Sequence, residues 1–326
     1  MKLRKFSDTK WLVSEIGIGC WAIGADWGNV NDEDARKTLI TGFDNGVNFF
    51  DTADVYGDGR SEKFVGELIK STSDRIYVAT KAGRKLDPHV GEGYNLTNIE
   101  KFIDRSLDNL GVECIDLLQL HCPPTEVYSN DKTYVMLDTL VKKGKILHYG
   151  FSVETVAEAM ESIKRPNTKS IQIIFNIFRQ KPSENFFQEA AKRNIAIIVR
   201  VPIASGMLTG KMNANSTFAE NDHRAYNING EAFDIGETFS GVNFAKGLEV
   251  VEELKKIIPE NFSLSEFAIK WILMHPEVTV VIPGAKNKEQ IIENIASSEK
   301  EDIKNLMQKM SNVYKEYLKS EIHHRW

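Results

Sequence analysis

From Ile16 nearly to its end, the chain alternates short apolar runs with amphipathic stretches. The apolar runs begin at Ile16 and recur at Val47–Phe50, Arg75–Thr80, Cys114–Leu120, Ile146–Phe151, Ile171–Phe175, Ile195–Val201 and Val278–Ile282. They are short, β-branched and bounded by turn residues, and they read as buried strands. The stretches between them read as helices. Asn31 and Asp32 cap one that runs to about Asn45, with Ala35, Leu39 and Phe43 on one face. A second covers roughly 60–70. Thr97 and Glu100 form a capping box for a third, which ends near Leu110 and is closed by Gly111. Others follow near 131–143, 154–163, 184–193 and 287–296.

Eight such strand–helix units in sequence, with no second core, predict an α/β fold of the (β/α)8 TIM-barrel type, a single domain over 1–326. The alternative, an open sheet with a dinucleotide fingerprint, is disfavoured because Gly17-Ile18-Gly19 lacks the third glycine that opens the first helix. Residues 3–13 predict a hairpin around Asp8-Thr9. About 35 residues after Gly206, following the seventh strand, have neither period; they are rich in Asn, Gly and charge. Phe218, Tyr226, Phe233 and Phe239 give this stretch something to pack, which favours an ordered lid. An amphipathic helix is expected over about 301–319, and His323-His324-Arg325-Trp326 reads as a flexible tail rather than a metal site.

Composition narrows the function. With 42% hydrophobic and 27% charged residues the chain can fill a core, and a net charge of -5 disfavours nucleic acid as a partner. Three scattered cysteines suit a reducing compartment. The opening residues carry no signal-peptide pattern, and no run approaches the length of a membrane span. The expected location is cytoplasmic.

Titratable residues gather at one end of the strands. The second run delivers Asp51 and, in the following turn, Tyr56; the next two deliver Lys81 and His121. In a barrel of parallel strands this end carries the chemistry. A phenol with an ordinary pKa near ~10 is a poor acid at neutral pH, and an adjacent ammonium favours its ionised form. A carboxylate such as Asp51 keeps that ammonium charged, and the imidazole can orient a carbonyl oxygen. No side chain donates hydride, so a cofactor must. Trp21, Trp27, Tyr56 and His121 suggest an aromatic-walled mouth for apolar carbonyl substrates.

The motifs Gly17-Ile18-Gly19-Cys20-Trp21, Asp51-Thr52-Ala53-Asp54-Val55-Tyr56-Gly57, Thr80-Lys81, Leu118-Gln119-Leu120-His121, Gly150-Phe151-Ser152 and Ile282-Pro283-Gly284-Ala285-Lys286, in this order, resemble the aldo-keto reductase superfamily over nearly the whole chain. The resemblance implies that Asp51, Tyr56, Lys81 and His121 form a catalytic tetrad with Tyr56 as proton donor, and that the hairpin plugs the barrel bottom. It implies NADPH/NADP+ as cofactor. Cys20, Trp21 and Asp51 would lie by the nicotinamide ribose, and Ser152 and Gln172 by the carboxamide. Arg200, Pro202, Ile203, Ser205, Gly206 and Lys211 would strap the pyrophosphate. Gly284, Lys286, Gln290, Glu293 and Asn294 would surround the adenosine, and Arg224 would add a phosphate contact. Lys286 also suits a phosphate on its own merits, at the start of a helix. Many relatives carry an aromatic residue where Arg200 stands. Its guanidinium can stack on the nicotinamide or pair with the pyrophosphate.

These residues imply an NADPH-dependent reductase of an aldehyde or ketone, with a small-molecule carbonyl substrate and no nucleic-acid or membrane partner. Two alternatives remain at this point. One is a nicotinamide-sensing regulatory subunit of the ion-channel type with little turnover. The other is a phosphate-binding isomerase or aldolase using Lys81 as a Schiff-base nucleophile.

Overall fold

Eight parallel strands pair in sequence order: Ile18–Gly19, Phe49–Asp51, Tyr77–Ala82, Ile115–His121, Ile146–Ser152, Thr168–Ile174, Ala196–Arg200 and Val278–Val281. The first and last meet through parallel bridges at Ile16–Val281 and Gly19–Gly284, so the ladder curls back on itself as a (β/α)8 barrel. The computed structural model describes residues 1–24 and 27–326. Among these, no helix is long and apolar enough to cross a membrane.

The hairpin forms from Leu3–Lys5 and Leu12–Ser14. Its Phe6, Trp11 and Val13 pack on Phe49, Leu117, Ala196, Ile198 and Val280, filling the bottom of the barrel. Phe6 stacks on Phe49 at 5.6 Å and Trp11 tilts over Tyr77 at 4.9 Å. Arg4 fastens the hairpin to the last barrel unit. Its guanidinium donates to the carbonyls of Val278 (2.6 Å) and Leu273 (2.9 Å) and pairs with Glu15. A larger apolar layer lies between strands and outer helices.

Most helices fall where the apolar period puts them. Asn31 caps Asp32–Asp44 by accepting from the Asp34 amide. The third expected helix starts differently: Leu96–Leu110 is capped by Asn95, whose side chain accepts from the Asn98 amide, and not by a Thr97–Glu100 box. Asparagine is at least as good a cap as threonine, and here it stands two residues earlier. Gly111 closes the helix at φ 65° as expected. Two helices with no counterpart in the sequence reading, Phe244–Lys255 and Leu264–Leu273, fill the space between lid and last strand. The second has a reciprocal Ser263–Glu266 capping box.

The aperiodic segment after Gly206 is ordered. It contains the single turn His223–Tyr226 and packs Phe218 on Phe239 (5.9 Å) and Phe244 (6.2 Å). The tail expectation fails. After the helix Lys304–Tyr317, His323 bonds to the Tyr314 hydroxyl at 2.8 Å, and Trp326 is only 6% exposed. The Arg179 guanidinium lies 4.0 Å over the Trp326 ring, whose Nε1 donates to Asp234 at 3.1 Å. A charge-rich tripeptide ahead of it masks the tryptophan as an anchor.

Candidate active site

Asp51, Lys81 and His121 stand at or near the C-terminal ends of their strands, and Tyr56 follows in the turn beyond Asp51. Gly24 and Gly57 let two loops meet around that turn. A Cβ on Gly24 would lie 2.8 Å from the Tyr56 Cβ, and one on Gly57 (φ +61°) 2.5 Å from the Gly24 carbonyl. Lys81 Nζ lies at the centre. It donates to Asp51 Oδ1 (2.5 Å), the Thr52 carbonyl (3.0 Å) and the Tyr56 hydroxyl (3.1 Å). The Tyr56 ring meets His121 edge-on at 6.0 Å and stacks on Trp21 at 6.0 Å.

The sequence reading missed Gln119. It is fully buried, and its amide donates to Asp51 Oδ2 (3.0 Å); Gln172 donates to the same oxygen (2.6 Å) and to Gln119 Oε1 (3.0 Å). A signal was available, because Gln119 stands two residues before His121 and therefore faces the same side of its strand. Gln172 is thus committed to the buried carboxylate. Asp51 accepts from an ammonium and two amides, which stabilises its charge in the dry interior.

Electrostatics set the resting state. Burial pushes the Tyr56 phenol up to about 12, and the opposing pull of Lys81 does not overcome it. The simple expectation of a lowered phenol is therefore reversed here, and Tyr56 holds its proton throughout the neutral range. Burial disfavours the Lys81 ammonium, but Asp51 and Tyr56 outweigh it and hold the amine above its ordinary value. Burial first, then the charges of Lys81, Arg84 and Arg200, drives His121 well below the usual imidazole range, so it is neutral. The arrangement couples a protonated phenol to a fixed ammonium beside a neutral imidazole. It can deliver a proton to an oxygen that gains negative charge.

Asp51, Tyr56 and His121 line a cavity of about 670 Å³, together with Trp21, Trp27 and Gln172. Arg200, Pro202, Ile203, Ser205, Gly206, Lys211 and Arg224 line it as well. So do Gly284, Lys286, Gln290, Glu293 and Asn294. Three candidates do not reach the wall. Cys20 is fully buried with its thiol toward the Ile18 carbonyl, and Ser152 turns its hydroxyl toward Cys122 Sγ at 3.5 Å. Lys81 is also behind the wall, with its ammonium 3.1 Å from the Tyr56 hydroxyl.

Lys286 stands just ahead of Asn287, the cap of the helix Lys288–Glu299. Burial, then the charge of Arg224, lowers its amine from the ordinary value. Arg224 is held by Asp222 (2.7 and 2.9 Å) and lies 4.5 Å over the Phe218 ring. Two cations facing one space beside a helix N-terminus suit a phosphate. Glu293 accepts from Ser263 at 3.0 Å and from Ser265, and Asn294 donates to the Gly284 carbonyl at 3.2 Å.

Arg200 lines the cavity but does not lie free. It pairs with Glu237, a lid residue the sequence did not single out, and donates to the Val153 carbonyl at 2.9 Å. Glu237 also belongs to a trio with Cys122 and Glu154 whose ligating atoms lie within 4.8 Å of one another. Two arginines flank that trio: Arg200 pairs with Glu237, and Arg84 stands 3.6 Å from Glu154. Burial pushes the Cys122 thiol up to about 12.

A closed (β/α)8 barrel with a buried Asp–Lys–Tyr relay at its C-terminal mouth is an enzyme scaffold. The chain belongs to the aldo/keto reductase family, whose sequence pattern it matches over residues 15–312. It is 29% identical over 304 residues to the oxidoreductase YqkF of Bacillus subtilis, covering 91% of each chain. It is 29% identical over 295 residues to the NADP(+) aldo-keto reductase yakc of Schizosaccharomyces pombe, covering 87% of this chain and 84% of the relative. Among solved structures it is similar to a glycerol dehydrogenase of Gluconobacter oxydans, with a TM-score of 0.79, 26% identity, and 97% and 96% of the two chains covered.

Proposed function

We propose that the protein is an NADPH-dependent reductase that converts an aldehyde or ketone to an alcohol, with Tyr56 as the proton donor. The observation that carries this reading is Lys81 Nζ, which is 2.5 Å from Asp51 and 3.1 Å from the hydroxyl of Tyr56, a residue on the wall of the 670 Å³ cavity. Bound along that cavity, a reduced nicotinamide dinucleotide would supply the hydride. Lys286 and Arg224 would hold its phosphate end, and Gly206, Ser205 and Lys211 its middle. The chain's own part is to hold a carbonyl oxygen between Tyr56 and His121 and to protonate it. Because burial keeps the phenol protonated, transfer becomes favourable only as charge builds on that oxygen, with Lys81 stabilising the phenolate left behind. Family membership and the NADP(+) relative support the same cofactor class.

A panel of aldehydes and ketones assayed with NADPH and with NADH tests the reading. Turnover with NADPH is expected; tight cofactor binding with no turnover of any carbonyl would favour a regulatory role instead.

Lys286→Ala should weaken NADPH binding far more than NADH binding. A charge-assisted contact to the 2′-phosphate contributes about 1.5–3 kcal/mol, and NADH lacks that group. Arg224 remains in the variant, which puts the loss near the lower figure. Fluorescence titration of both cofactors checks it, and equal losses would place the phosphate elsewhere.

The Arg200–Glu237 pair changes what the arginine can do to the nicotinamide ring. An unpaired guanidinium beside that ring should favour NADPH over NADP+ by roughly five-fold. Glu237 offsets the charge, so wild type should discriminate less than that. Glu237→Gln should widen the gap between the two dissociation constants at fixed ionic strength. A gap that does not move would show that Arg200 lies clear of the ring.

A further inference from the structure

Arg84 lines the same cavity as Tyr56 and His121, three residues beyond Lys81, yet protonation of a carbonyl does not require it. Its side chain is 26% exposed. The guanidinium lies 6.0 Å from the Phe233 centroid; Phe233 meets Trp21 edge-on at 5.8 Å, and Trp21 stacks on Tyr56 at 6.0 Å. Arg84 therefore stands across two aromatic rings from the phenol, on the wall of the mouth.

The other arginines of this region each make at least one hydrogen bond within the protein. Arg60 donates to the carbonyls of Gly24 and Val30, Arg179 to that of Glu154, Arg200 to Glu237 and Val153, and Arg224 to Asp222. Arg84 differs. Its one ion-pair partner among the described residues, Glu154 Oε1, lies at 3.6 Å, beyond hydrogen-bond reach, and it makes no hydrogen bond to a described side chain or carbonyl. A guanidinium offers five donors in a fixed fork, and those of Arg84, on the cavity wall, are not committed to a partner among the described residues. The fork matches carboxylate and phosphate oxygens.

We propose that Arg84 recognises an anionic group on the substrate, so that the preferred substrate is a carbonyl compound carrying a carboxylate or phosphate a few bonds from the reacting carbon. The anion lies against Arg84 beside Phe233, while the carbonyl oxygen meets Tyr56 and His121. The surrounding charges agree with this. Burial, then the neighbouring Asp234 and Glu237, pushes the Glu154 carboxyl up to about 8, so at neutral pH it competes weakly for Arg84. Arg84 and Arg200 both contribute to keeping His121 neutral, which means that their positive field reaches the reaction end of the cavity. An incoming anion relieves that field. The inference rests on the reductase reading, and its test separates the two.

The experiment compares matched pairs with NADPH: 4-oxobutanoate against butanal, and glyceraldehyde 3-phosphate against glyceraldehyde. Each is assayed with wild type, Arg84→Met and Arg84→Lys. Wild type should favour at least one anionic member by about ten-fold or more in kcat/KM, and which pair shows it identifies carboxylate or phosphate. Arg84→Met should raise KM for that anionic substrate about ten- to hundred-fold, the range of a charge-assisted contact, with kcat and the neutral partner little changed. Arg84→Lys, which keeps the charge but loses the fork, should fall between and carries the test if the methionine variant does not fold. Calorimetric titration with succinate and with inorganic phosphate gives a readout that needs no turnover: one should bind wild type and not Arg84→Met. Turnover without any preference for an anion, or an Arg84→Met loss equal for charged and neutral partners, overturns the proposal and leaves the reductase reading standing. Arg84-dependent anion binding with no carbonyl turnover would do the reverse.

Discussion

Tyr56→Phe should lower carbonyl reduction by about 10²–10⁴-fold while leaving cofactor affinity within a few-fold of wild type. The substitution removes one oxygen from a ring whose stack on Trp21 and edge contact with His121 would otherwise persist. Lys81 loses one of its three hydrogen bonds and keeps those to Asp51 and the Thr52 carbonyl. The loss should therefore fall on kcat. A pH profile adds a second check. A phenol pushed up to about 12 is protonated at every pH below that value, so tyrosine titration should leave the reductive rate flat from pH 6 to 9. His121, already neutral and well below its ordinary range, should add no step there either. Retention of most turnover in Tyr56→Phe would assign the proton to another donor.

Lys81→Met should cost both turnover and stability. Removing one partner of a buried ion pair typically costs about 3–5 kcal/mol, because the remaining charge is left in a dry site. Two amides, from Gln119 and Gln172, still donate to Asp51 Oδ2, which favours the lower end of that range. Native proteins hold only about 5–15 kcal/mol in total, so the urea midpoint should drop visibly. The double variant Lys81→Met with Asp51→Leu should recover much of the stability and none of the turnover. If the single variant were as stable as wild type, the pair would serve chemistry alone.

The strand ends were legible because the barrel imposes one rule on every unit: apolar run, then a side chain at the mouth. That rule located Asp51, Lys81 and His121 without their environment. It did not locate Arg84 or Glu237 as partners, since one sits in a turn and the other in a single 3-10 turn, where no period constrains the chain. The Arg200–Glu237 pair joins residues 37 apart across the lid, a relation that only folding supplies. The same limit explains Cys20 and Ser152. Position at a strand end tells that a residue is near the mouth, but not whether its side chain faces the cavity or the layer behind it. The sign of the phenol shift was hidden for a related reason: the attraction of Lys81 follows from adjacency, whereas the larger burial effect depends on how completely Trp21 and its neighbours exclude water. Trp326 reads as tail because the composition around it is polar, whereas its anchor is a distant pocket around Arg179 and Asp234 that only folding assembles.

The clasp between the hairpin and the last barrel unit bears on how the chain reaches this state. Arg4 and the Val278 carbonyl it bonds are 274 residues apart, and the strand seam beside them joins Gly17 to Val281. Closing so long a loop costs little more entropy than closing one half its length, but contacts of this separation slow folding because they repay that cost only late. Before the seam closes, the strands Ile18–Gly19 and Val278–Val281 each present a bare edge, and bare edges are where chains pair with the wrong partner. The molecule is thus most exposed to misassociation in the interval just before its mouth acquires a complete rim.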